Sequence, residues 1–141
     1  MNMNSLPSIA LSIRQPWAWL VANGHKTTEN RSKPTHFRGP VLIHASLTSA
    51  SPEQIKQMRQ DVAVNCAMAA QLIPRVAEGY YHGGIIGVAE IVDCKVISDD
   101  PWHLPGYFGW KLANARPLEF MPFRGALGFF KCDYQQPIRP L

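Results

Sequence analysis

Arg14, Gln15, His25, Lys26, Glu29, Asn30, Arg31 and Ser32 fall within nineteen residues of one another and make the densest polar cluster of the chain. Trp17 and Trp19 stand inside it. Lysine and arginine contact phosphate, an aromatic face stacks a base, and apolar walls with a few donors are what a ligand pocket needs. The competing reading is plain architecture. In it Trp17 is core, and Lys26, Glu29 and Arg31 form exposed pairs worth about 1 kcal/mol or less each.

Glu90 gives a second, independent signal. Ile86, Val88, Glu90, Val92, Cys94 and Val96 occupy alternate positions, so strand periodicity sets a carboxylate on the most apolar face of that stretch. A buried carboxylate requires a cation or hydrogen-bond donors beside it. Lys26 and Arg31 are the candidates, and a β-bulge would shift the register and weaken the argument. His44 and Ser46 share a face at the end of the apolar run Val41–Ser46. They stand there either to donate to a ligand or, for His44, as a satisfied core histidine. No third group stands at catalytic-triad spacing. In Phe108–Leu112, Trp110 reads as core and Lys111 as pocket rim or solvent.

Metal and phosphate-loop chemistry are not indicated. Cys66, Cys94 and Cys132 show no CxxC spacing, the histidines show no HxH or HxxxH spacing, and the glycines make no P-loop. No metal and no cofactor are expected. The cysteines read as buried free thiols of a cytoplasmic protein.

The elements that must position these residues are short. A chain of 141 residues with 17% charged and 46% hydrophobic side chains has the composition of one globular domain. Its 12 prolines and 10 glycines imply many turns. Residues 1–8 read as a flexible arm, 9–133 as the domain and 134–141 as a tail. The start has neither a basic region nor an apolar run, so no signal peptide is expected, and no stretch of 18 apolar residues suggests a membrane span. Strands are expected at Ile9–Ile13, Val41–Ser46, Gly83–Ile97, Phe108–Leu112, Leu118–Phe120 and Leu127–Asp133. A short helix opens at Gln15-Pro16-Trp17, with Pro16 at its first position, Gly24 after its end, and Trp17, Leu20 and Val21 as its buried stripe. A longer helix starts at Ser51, with Gln54 completing a capping box, and runs to about Leu72. Ile55, Met58, Val62, Cys66 and Ala69 share one of its faces. Short strands around two or three helices predict an α+β domain with a curved sheet or small barrel. The net charge of +4 favours an anionic partner, although no run of basic residues concentrates it.

Several of these motifs together resemble the ASCH domain family. They are Leu11-Ser12-Ile13-Arg14-Gln15-Pro16-Trp17, then Gly24, Lys26, Glu29, Arg31 and Ser32, then Arg38-Gly39-Pro40 and the strand ending His44-Ala45-Ser46. Gly87 to Cys94, Phe108-Gly109-Trp110 and Phe123 to Gly128 fit as well. The resemblance implies a small PUA-like β-barrel of mixed strands flanked by helices. It also implies a cleft beside the barrel, rimmed by the Gln-Pro-Trp helix and the Gly-x-Lys motif. Members are linked to RNA or DNA binding, transcription coactivation and RNA metabolism. One bacterial branch resembles an amidohydrolase of acetylated cytidine that uses a lysine, a threonine and a glutamate, and another member is described as a ribonuclease. Lys26 and Glu90 match the lysine and the glutamate. Glu29 stands where the threonine would be, and Thr28 falls one residue short.

The expected function is binding of RNA, single-stranded nucleic acid or a nucleotide-like molecule. Lys26, Arg31 and Arg14 would contact phosphate, Gln15 and His44 would read polar edges, and Trp17 would form a wall, with Glu29, Ser32 and Ser46 beside them. The alternative is a small hydrolase in which Lys26 and Glu90 do the acid–base work. A third reading is a protein-interaction adaptor.

Overall fold

The computed structural model describes residues 6–136. β1 (Ile9–Ile13) runs parallel to β3 (Gly39–Ala45), with Leu11 opposite Ile43 and Ser12 opposite His44. A parallel pair needs a crossover, and the intervening chain supplies it as α1 (Trp17–Ala22) and β2 (Thr28–Arg31). After α2 (Pro52–Ala63) and α3 (Ala67–Gln71) the chain re-enters the sheet as β4 (Gly84–Lys95), β5 (Phe108–Pro122) and β6 (Phe129–Lys131). The resulting six-stranded sheet has the order β2-β5-β4-β3-β1-β6. Side chains draw its two ends together. Trp110 of β5 stacks on Phe129 of β6 with centroids 5.6 Å apart, and Arg31 of β2 donates to the Ser12 carbonyl of β1. The sheet thereby curls into a half-barrel, the α+β PUA-like architecture that the motifs imply.

One apolar cluster fills the curl, with Leu11, Ile43, Ile91 and Leu112 of the strands against Ala18, Val21 and Ala22 of α1. A Cβ on Gly87 would meet Ala22 Cβ at 2.6 Å, so only glycine lets the helix lie this close to β4. Leu20 joins Ile55, Val62 and Trp102 in a second cluster under α2. Trp17 packs against both. Residues 6–8 are packed: Leu6 lies against a third cluster, and the Ser8 carbonyl accepts from Cys132 N–H. At the other end Tyr134 donates to the Glu119 carbonyl. Residues 1–5 and 137–141 of the expected arm and tail lie outside the described residues. Among the described residues no helix is long and apolar enough to cross a membrane.

Four local expectations are corrected. Pro16 caps α1, after a cis Gln15–Pro16 peptide, and the first helical residue is Trp17. The long second helix breaks at residues 64–66. Ser51 and Gln54 form the capping box as expected, but Cys66 starts α3, its sulfur accepting from Ala69 N–H. The two short C-terminal strands are one, β5, bulged where Asn114 takes φ +53°, a left-handed conformation that asparagine tolerates. β4 also carries register shifts, around Ile86 and around Val92. Ile86 and Cys94 therefore pack toward α1, while Val88 belongs with Ile85 in the cluster on the other face. The uniform alternation that set Glu90 on one continuous apolar face does not exist.

Candidate functional site

A cleft of about 1210 Å3 opens where β1, β2 and β3 end. Ser12 and Arg14 reach it from the end of β1 and just beyond, Lys26, Glu29 and Arg31 from the chain after α1, and His44 and Ser46 from the end of β3 and just beyond. Trp17 forms an apolar wall.

The floor is a carboxylate between two cations. Glu29 Oε1 lies 3.3 Å from Lys26 Nζ, and Oε2 accepts from Arg31 Nε at 2.9 Å. The local fold explains how they meet. Gly24, at φ +78°, ends α1, and the His25 and Lys26 N–H groups donate back to the Leu20 carbonyl. That turn leaves Lys26 only 2% exposed, donating also to the Thr28 carbonyl. Arg31 sits 5.5 Å from the Trp110 ring centroid, which fixes its guanidinium plane. One negative charge offsets one of two positive ones, so the floor retains a positive charge in a poorly solvated place, where it acts strongly. Arg14 and Arg124 add exposed cations. Among the described residues, the acids and bases lining the cleft, Asp61 included, leave it at +2.

His44 has both ring nitrogens engaged. Nε2 is 2.7 Å from the Phe123 carbonyl, which can only accept, so Nε2 carries the proton and Nδ1 accepts from the Ser12 hydroxyl at 3.0 Å. Burial lowers the His44 pKa, outweighing the Phe123 carbonyl that favours the proton. A Cβ on Gly125 would lie 2.6 Å from the imidazole. His44 thus seats the loop at residues 123–128, which carries Arg124, and is a positioning residue for it.

A second network seats the loop at residues 98–107, whose Leu104 and Tyr107 wall the cleft. Asp100 Oδ2 accepts from Thr27, Thr28 and Lys111, and Oδ1 accepts from Trp102 N–H. Burial alone would raise the Asp100 pKa, but these donors together hold it at about 2. Lys111 also donates to the Ser98 hydroxyl, which donates to His103, and the other His103 nitrogen donates to the Tyr107 carbonyl. Asn30 fastens the same loop, donating to the Trp102 carbonyl and accepting from Leu104 N–H.

The predicted residues divide accordingly. Arg14, Trp17, Lys26, Glu29, Arg31, His44 and Ser46 come together in the cleft. Gln15 does not reach it. It is buried, accepting from Trp19 N–H and donating to the Tyr81 carbonyl, and it faces a separate concavity. Ser32 is exposed outside the lining. Glu90 is the main correction. With β4 bulged it lies outside the cleft and accepts from Asn114 at 3.0 Å, while the partner of Lys26 is Glu29. Tyr107 and Leu104 escaped sequence reasoning, because only the Asp100 network brings them in. Ser12 and Arg124 were visible only as parts of motifs.

A family model described as the ASCH domain matches residues 11–122. Activating signal cointegrator 1 of Homo sapiens is 29% identical over 84 residues, which is 60% of this chain and 14% of the human protein. Activating signal cointegrator 1 of Mus musculus matches with the same identity and coverage. The chain thus spans about one-seventh of the length of these relatives. The matched region runs from β1 to the end of β5 and contains the entire Lys26–Glu29–Arg31 floor. The chain belongs to the ASCH domain family.

Proposed function

We propose that this domain binds single-stranded nucleic acid, RNA foremost, in the cleft above Lys26, Glu29 and Arg31, and serves RNA metabolism or its regulation in the cytoplasm. The observation that carries the reading is the unbalanced floor: two cations held by one carboxylate, with Arg14 and Arg124 at the rim. Phosphates suit those cations, and Trp17 and Tyr107 offer apolar surface to a base or sugar. The family's link to RNA supports the same choice.

The test is anisotropy of a labelled single-stranded RNA at increasing salt. With three to four cations engaged, log K should fall against log salt with a slope of about −2 to −3, and Arg14→Ala should make it shallower by about 0.7. Weak binding that ignores salt would sink the proposal. A DNA strand of the same sequence separates preference for RNA from a general response to phosphate. The hydrolytic alternative keeps Lys26 in the cleft but lacks its partners. Glu90 is elsewhere, and the Thr28 hydroxyl is taken up by Asp100 and Lys111. Incubation with acetylated cytidine should therefore release no cytidine.

A further inference from the structure

Behind α1 lies a second concavity of about 750 Å3, walled by Trp19, Tyr80, Tyr81 and Phe120. α1 separates it from the cleft. Trp17 and Trp19, two residues apart on one short helix, point to opposite sides, so one faces each concavity. We propose that this aromatic pocket is a stacking subsite for an unpaired nucleobase of the strand whose phosphates lie in the cationic cleft. The inference rests on the nucleic-acid reading above and extends it to a second site.

Three observations carry it. Trp19 is 37% exposed and Tyr81 66%, a large aromatic area left to solvent in a small domain. The walls are preorganised. Gln15, 1% exposed, holds the start of α1 through Trp19 N–H and the Tyr81 carbonyl with the two ends of one amide. Trp19 packs against Tyr80 at 5.8 Å, and Tyr81 stacks on Phe120 at 4.6 Å with ring planes 12° apart. Among the described residues no Lys or Arg lines this pocket, and Glu119 is its one charged lining residue. A phosphate meets no cation among these lining residues, whereas the uncharged face of a base meets rings to stack on. The cationic cleft starts on the far side of the same helix, where Arg14 stands just before it.

The experiment compares two labelled single strands of equal length and charge, one with all its bases and one abasic through its middle. Tyr81→Ala and Trp19→Ala should each weaken binding of the complete strand by about tenfold. Both should leave the abasic strand and the salt slope unchanged, and Trp19→Phe should restore most of the affinity. The complete strand should also quench tryptophan fluorescence more than the abasic strand does, and Trp19→Phe should remove that difference. Equal affinity of the variants and the unchanged protein for the complete strand overturns the subsite. So does equal loss on both strands by variants that melt at the unchanged temperature. If the abasic strand binds the unchanged protein with the expected salt slope, the cleft reading survives that failure. If no strand binds the unchanged protein, both fall.

Discussion

At the scale of single residues, Lys26 and Glu29 form a buried ion pair. An ammonium with 1% of its side chain exposed is tolerated because a carboxylate and a carbonyl face it. Removing the carboxylate leaves the charge buried without its counter-ion, which costs more than the pair itself contributes. Glu29→Gln should therefore lower unfolding stability in urea by about 3 kcal/mol, and adding Lys26→Met should recover most of that loss. This trio was legible because it is local: six residues of chain hold Lys26, Glu29 and Arg31, and one turn and one strand bring them together. Glu90 misled for the opposite reason. Its position depends on how β4 meets both β3 and β5, and the bulges that decide it leave no local mark in the β4 sequence.

At the scale of elements, the cleft depends on two loops clamped by titratable groups, and pH should reveal both. The folded-state pKa of Asp100 lies near 2, below its ordinary 3.8. Its contribution is therefore complete above pH 3.8 and is lost as pH falls through the folded value. Asp100→Asn should cost about 2 kcal/mol at neutral pH and flatten the acid limb of a stability–pH curve measured with urea. His44 is also depressed, below 6.5, so the unfolded chain takes up its proton first. Stability should be complete above pH 6.5 and decline below it, and His44→Gln should remove that decline. The positions of β1, β3 and β4, the capping box at Ser51 and the α1 stop at Gly24 were readable, since each rests on a few adjacent residues. The break between α2 and α3 was not, because Ile55, Met58, Val62, Cys66 and Ala69 keep helical spacing across it. Nor was the Asp100 clamp, whose donors come from segments more than seventy residues apart.

For the whole molecule, the question is whether binding follows its total charge or the place where that charge is gathered. The chain carries +4, and the described residues that line the cleft account for +2. A field focused by low-dielectric walls raises association rates more than the same charge spread over a surface. Two substitutions separate the cases. Arg124→Glu, at the cleft rim, and Lys95→Glu, at the exposed end of β4, change net charge by the same amount. If the cleft is the binding site, stopped-flow association with single-stranded RNA at 0.1 M salt should slow by about tenfold for Arg124→Glu. Lys95→Glu, outside the cleft lining, should slow it clearly less, since the intervening salt screens a charge more as its distance from the bound strand grows. Equal slowing by both would mean that net charge governs the encounter and that the asymmetry of the cleft plays no part in it.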